Sequence, residues 1–385
     1  MLPTQRRLLL GGAARLAATT RRQFSSVPAS TASVPEYDPK NPLAHFLRHQ
    51  GVVIADGAGT LRDEDHPLRG ANLLFGKAGH DATTAMHRGF LEAGADLISS
   101  ASYGASFEAF QSAGAFFSLP GGAITKPELQ QRFTKNVLRA SVELAKRAAV
   151  EFWRDEDNRT PGRLRPIVAA SVGPVAWNLS AHDCADDAAV SLHYQRKLAA
   201  IALSKPDLVA LRTISGIREA SLALGALAEV APSLPATLTF LCRAGAEGRT
   251  SAGDELGEAC ARAAEMSPQL VACGLQGGLH GASANELQPA LHTARRRLAD
   301  CVALIAQPDL GWSGPKSEAA AAMTRGASAG PHCCHGEPGA ELITGARAVE
   351  MRAWGADVVG GCCWVTPSQV RGLRGALLGH ASSVA

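Results

Sequence analysis

The sequence predicts an α/β protein folded as a (β/α)8 TIM barrel, and three observations carry that expectation. Eight short apolar runs, at 52–55, 97–100, 167–171, 208–211, 238–241, 270–275, 301–306 and 358–360, read as strands. Eight helical stretches, at 82–92, 127–151, 190–202, 217–228, 255–264, 285–299, 340–354 and 367–378, alternate with them. No linker divides the series, so 43–380 reads as one barrel domain behind a 1–42 leader and linker. Strands that are apolar throughout need both faces covered, as in a parallel sheet wrapped by helices, and eight such units close most readily as a barrel.

Taken in order, the first strand runs straight into Asp56 and Gly57. The helix before the third strand opens on Thr125-Lys126-Pro127-Glu128, which reads as a capping box. Leu129, Phe133, Val137 and Leu144 follow at the spacing of one buried helical face. The last helix opens on Thr366-Pro367-Ser368-Gln369, the same device with proline at the first helical position. In this architecture reactive groups sit at the C-terminal ends of strands. The eighth strand ends in Gly360-Gly361-Cys362-Cys363, where two glycines allow a turn tight enough to aim both thiols at one point.

Composition excludes several classes. The chain is 46% hydrophobic and 19% charged, with no apolar run of the roughly 18 residues a membrane helix needs. Its formal charge is +3, but residues 1–35 hold five arginines (6, 7, 15, 21 and 22) and no acid. Setting those five aside takes the 38 basic residues to 33, against 35 acidic ones. The body therefore has no electrostatic reason to bind nucleic acid or an anionic membrane. The acid-free, Arg-rich, Ser/Thr/Ala-rich leader reads as a transit peptide, with Arg7, Arg15 and Arg22 within an arc of about 80° on a helix. Arg22-Gln23-Phe24-Ser25 resembles a mitochondrial processing pattern, which implies cleavage near Phe24 and a mature protein in the mitochondrial matrix.

Nine cysteines (184, 242, 260, 273, 301, 333, 334, 362 and 363) spread over a long chain do not form a disulfide framework of the small secreted kind. Most read as buried thiols. The vicinal pairs differ, because neighbouring thiols chelate well. Cys362 and Cys363 are candidate zinc ligands, zinc taking thiolates at about 2.3 Å.

With these motifs in place, the sequence resembles the homocysteine S-methyltransferase family, whose zinc barrels end in such a Gly-Gly-Cys-Cys followed by Thr-Pro. Asp56-Gly57-Ala58-Gly59-Thr60 is similar to its first-strand loop, and His66-Pro67-Leu68 to its His-Pro-Leu. The stretch from His87 through Asp96 to Ser106, Ala170-Ser171-Val172-Gly173-Pro174, His193-x-x-Arg196 and Gly355-Ala356-Asp357 add to the likeness. The resemblance implies that Zn2+ is held by three cysteines, and that the substrate is a small-molecule thiol such as homocysteine. Its sulfur would take a methyl group from a sulfonium or quaternary ammonium donor. A free thiol is mostly protonated at neutral pH, so the metal makes the nucleophile. Asp56, Gly57 and Arg212 are the substrate-binding residues this implies.

Three positions depart from the family pattern. The third zinc cysteine corresponds to Gly277 in the run Ala272-Cys273-Gly274-Leu275-Gln276-Gly277. Cys273 lies four residues earlier and is expected to point into the barrel as a core thiol. The Glu that holds the substrate amine corresponds to Arg212, and an Asn of the second-strand loop to Ala101. A donor from His332-Cys333-Cys334-His335, or His280, is the compensation the sequence offers. Arg212 reads either as a solvated or paired side chain at the mouth or as a carboxylate-binding one. Three functional classes stay open: a zinc thiol methyltransferase, a barrel acting as a binding or structural subunit with protein partners in a mitochondrial assembly, and an enzyme for an acidic substrate.

Overall fold

The structure is a computed structural model that describes residues 37–57, 68, 70–119, 121–175, 186–242, 248–277, 284–308, 344–362 and 365–379. The leader and its Phe24 cleavage site, His66, His280, the 332–335 loop and Cys363 lie outside the described residues.

The eight expected strands are all present: β1 (Val53–Ile54), β2 (Leu97–Ser99), β3 (Ile167–Val172), β4 (Leu208–Ile214), β5 (Ala236–Phe240), β6 (Leu270–Gln276), β7 (Ala303–Gln307) and β8 (Val358–Val359). Every pair is parallel, in the order β1-β8-β7-β6-β5-β4-β3-β2, and a parallel bridge from Ala55 to Leu97 joins the two ends of that series. The result is a (β/α)8 barrel. In chain order its helices are α1 (Pro42–Gln50), α2 (Lys77–Glu92), α3 (Phe107–Ser112), α4 (Pro127–Arg154), α5 (Asp187–Ala202), α6 (Ile217–Val230), α7 (Leu256–Met266), α8 (Ala284–Arg297), α9 (Gly345–Ala353) and α10 (Pro367–Leu378). Among the described residues no helix is long and apolar enough to cross a membrane.

Side-chain alternation divides the barrel into two cores. Val53, Leu97, Ile167, Leu208, Ala303 and Val358, each the first residue of its strand, fill the lumen with Leu43 and Phe46 of α1. That helix therefore plugs the N-terminal end. Its start is fixed by Asn41, whose side chain accepts from the Ala44 N–H, and by proline at the first position. The larger core lies between strands and outer helices.

An aspartate just before a strand recurs as a fastening on the N-terminal face. Asp96 accepts from the Ile54 N–H at 3.0 Å, Asp207 from Val168 at 2.8 Å and Asp357 from Leu304 at 3.0 Å. Each carboxylate thus occupies a backbone donor of the neighbouring strand. Asp96 is fully buried and also pairs with Arg163 at 3.0 Å and Arg374 at 2.9 Å. The Asp96 and Asp357 motifs of the sequence are consequently fold fastenings, at the end of the barrel away from the chemistry.

Three expectations change. The capping box at Thr125 does not form: Lys126 is the N-cap of α4 and makes no side-chain cap, because Pro127 takes the first helical position. Leu129 on that helix is 46% exposed, so the buried face begins with Gln130 and Thr134. Cys273 faces the outer helices, beside Cys260 of α7, rather than the lumen. The box at Thr366 does form, with Gln369 returning the bond.

Candidate active site

Above its apolar floor the lumen becomes polar. Ser99, Ser171, Arg212 and Gln307 each stand two residues beyond a lumen-facing neighbour (Leu97, Ala169, Ala210 and Ile305), so alternation turns them inward as well. All four are buried. Arg212 proves the direction: from β4 it reaches Ser99 on β2 and Gln307 on β7, strands that do not neighbour its own.

Two hydrogen-bonded chains cross this layer. In the first, the Ser99 N–H and hydroxyl donate to the two Asp56 carboxylate oxygens at 2.7 and 2.9 Å. The same hydroxyl accepts from Arg212 Nη2, while Arg212 Nη1 donates to Gln307 Oε1 at 3.5 Å. In the second, the Thr239 hydroxyl donates to Gln276 Oε1 at 2.8 Å, and Gln276 Nε2 donates to Cys362 Sγ at 3.4 Å. Cys362, just past β8, is 1% exposed. Gly57 closes the gap between Asp56 and the chain after β8, since a Cβ there would come within 2.6 Å of the Val365 carbonyl oxygen.

Arg212 is neither solvated nor ion-paired. It is 2% exposed, makes no ion pair among the described residues, and its Nε has no partner. The next residue, Thr213, holds φ +55°, an unusual conformation for a β-branched residue. Its hydroxyl lies 2.6 Å from both the Arg212 carbonyl oxygen and the Tyr103 hydroxyl. Behind it, the Lys197 ammonium donates to the Tyr103 carbonyl at 2.8 Å, and burial pushes this lysine down to about 7. His193 lies between Glu108 at 3.0 Å and the Gly173 carbonyl at 3.2 Å, with Arg196 on the other Glu108 oxygen at 3.3 Å. The His193-x-x-Arg196 motif thereby ties α3 to the end of β3 and positions the wall of the site.

A three-thiolate zinc centre does not fit the described residues. Gly277 brings no donor, and it adopts φ +70° with its N–H on the Gln307 carbonyl. Cys362 Sγ is engaged by the Gln276 amide. Among the described residues no three His, Cys, Asp or Glu side chains gather as a metal site. Of the residues singled out in the sequence, Asp56, Gly57, Arg212 and Cys362 do meet at this end of the barrel. Ser99, Ser171, Gln276 and Gln307 complete the layer. Their signal in the sequence is a polar residue at or just beyond the end of an apolar strand, and Gln307 fell one residue past the run read as β7.

Comparison with known proteins agrees with this geometry. The family model described as "Homocysteine S-methyltransferase" matches residues 53–377. "Homocysteine S-methyltransferase 4" of Zea mays is 29% identical over 356 residues, covering 88% of this chain and 94% of that protein. "Homocysteine S-methyltransferase 1" of Arabidopsis thaliana is 26% identical over 346 residues, covering 84% and 92%. Among solved structures, the metallated homocysteine methyltransferase MmuM of Escherichia coli superposes with a TM-score of 0.64 at 21% identity, covering 89% of this chain and all of that one. That likeness speaks for the fold, while the sequence match spans β1 to α10. The chain belongs to the homocysteine S-methyltransferase family.

Proposed function

We propose that this protein is a small-molecule thiol S-methyltransferase of the homocysteine S-methyltransferase type, working in the mitochondrial matrix. The observation that carries the reading is the placement of Cys362 at the C-terminal end of the lumen, beside the polar layer of Arg212, Gln276 and Gln307, in a chain matched by the family model over residues 53–377. In the reaction the substrate sulfur, its proton given up to solvent, attacks the methyl carbon of a sulfonium or quaternary ammonium donor. A sulfur–carbon bond forms, the donor's bond to the methyl breaks, and its electron pair leaves with the donor. The buried lumen contributes orientation and exclusion of water. Cys362 and Cys363 are the thiols this chain offers to zinc. With glycine at 277 the three-thiolate set is incomplete, and no step here is routed through metal. The matrix assignment rests on the Arg-rich, acid-free leader.

The test is transfer of an isotope-labelled methyl group from one sulfonium donor, S-methylmethionine, and one quaternary ammonium donor, glycine betaine, to a panel of thiols. Labelled thioether that disappears in Cys362→Ser supports the reading. No transfer to any thiol, with or without added zinc, favours the second reading, a binding or structural subunit, which the missing donor at Gly277 specifically recommends.

A further inference from the structure

We propose that the upper lumen is a carboxylate-binding pocket whose two donors are Arg212 Nε and the Ser171 hydroxyl, and that it takes the carboxylate of a small thiol substrate. The inference rests on the reading of this layer as a substrate site and specifies what the site takes.

A buried guanidinium is stable when its charge and its five N–H groups are matched. In Arg212 the two terminal nitrogens each have one partner, and both partners are neutral, the Ser99 hydroxyl and the Gln307 amide oxygen. The nearest negative charge in the chain of bonds, Asp56, is reached only through the Ser99 hydroxyl. Nε is left over, 98% of the residue being shielded from water. Ser171 repeats the situation on the adjacent strand. Its backbone N–H donates to the Ser100 hydroxyl oxygen, its carbonyl accepts from the Ser102 hydroxyl, and its own Oγ is buried without a partner. Ser171 pairs with Ala210, two residues before Arg212, and both Ser171 and Arg212 face the lumen. Two buried donors without partners thus stand on the adjacent strands β3 and β4, both on lumen-facing positions.

The chemistry they select is specific. A cationic group would meet the unneutralised guanidinium in a site screened from water, where like charges repel strongly. A neutral group satisfies the hydrogen bonds but leaves the charge. A carboxylate satisfies both, offering one oxygen to Nε and one to the hydroxyl in a pair of charge-assisted bonds. Below Ser171 and Arg212, the lumen-facing side chains of these two strands are the small Ala169 and Ala210.

The experiment is calorimetric titration of the full chain, without methyl donor, using two halves of the homocysteine skeleton: 4-mercaptobutanoate, which lacks the amine, and 3-aminopropane-1-thiol, which lacks the carboxylate. The carboxylate thiol is expected to bind at least tenfold more tightly. Arg212→Gln should weaken it by tenfold or more, Arg212→Glu should reverse the preference, and Ser171→Ala, which leaves the guanidinium and the fold in place, should weaken it several-fold. Equal binding of both thiols, binding of neither, or carboxylate binding unmoved by both Ser171→Ala and Arg212→Gln overturns the inference. Because no methyl donor is present, carboxylate binding through Arg212 without any methyl transfer leaves this inference standing and removes the proposed activity. Methyl transfer to the amine thiol with no response to Arg212 does the reverse.

Discussion

The Gln276 side-chain amide bridges Thr239 and Cys362, accepting from the threonine hydroxyl at 2.8 Å and donating to the cysteine sulfur at 3.4 Å. One side chain on β6 thereby links the end of β5 to the turn after β8, and residue 277 is its next neighbour in the chain. Gln276→Leu keeps the volume but strands the buried Thr239 hydroxyl. A loss of about 1–3 kcal/mol in denaturant unfolding is expected, and an unchanged midpoint would show the bridge to be dispensable.

At the opposite end, Asp96 is fully buried between Arg163 and Arg374. Asp96→Ala removes the carboxylate that neutralises two guanidinium groups and accepts from the Ile54 N–H. The expected cost is about 3–5 kcal/mol, seen as a lowered unfolding midpoint. The same substitution at an exposed pair, Asp81 with Lys77, should leave the unfolding midpoint almost unmoved.

His87 is buried on α2 with neither ring nitrogen partnered, and burial pushes its imidazole down to about 4. The unfolded chain binds this proton near 6.5, so between pH 6.5 and 4 the unfolded state holds more protons than the folded one. Stability then rises with pH across that window and falls as pH drops through it, by on the order of 3 kcal/mol from this residue. Unfolding free energies measured from pH 7 to 4 should decline less steeply in His87→Leu than in the wild type. Parallel profiles would assign the decline to other groups.

The leader, if it directs import, is removed in the organelle. N-terminal sequencing of the protein isolated from mitochondria should begin near Ser25, and an intact Met1 on the resident protein contradicts matrix import.

The strands were legible because each is apolar on both faces, and α10 was legible to the residue because Thr366, Pro367 and Gln369 write its start locally. What escaped depends on partners distant in sequence. The plug α1 has a local start in Asn41 and Pro42, but its Leu43 and Phe46 gain meaning only from the lumen they fill. Asp96 and Asp357 stood out as motifs, but their task depends on the neighbouring strand's register, which no local pattern encodes. Cys273 was placed inward by counting four residues back from Gly277. That count fails because Gly277, at φ +70°, has left the strand's alternation, while Ala272 and Gln276 are the residues that face in. Arg212 was visible as a departure, but its solitude was not, since burial and the unpartnered Nε are properties of the closed barrel.

The family resemblance makes position 277 the place of the donor that would join Cys362, and competitive zinc titration of the wild type against Gly277→Cys tests that placement most directly. A side chain in the left-handed region costs roughly 1–2 kcal/mol, so Gly277→Cys should unfold somewhat earlier than the wild type. A third fixed thiolate should nevertheless raise zinc affinity at least tenfold. Equal affinity in the two proteins would contradict the account, because it would put residue 277 away from the thiols and remove Cys362 from the edge of a metal-type site.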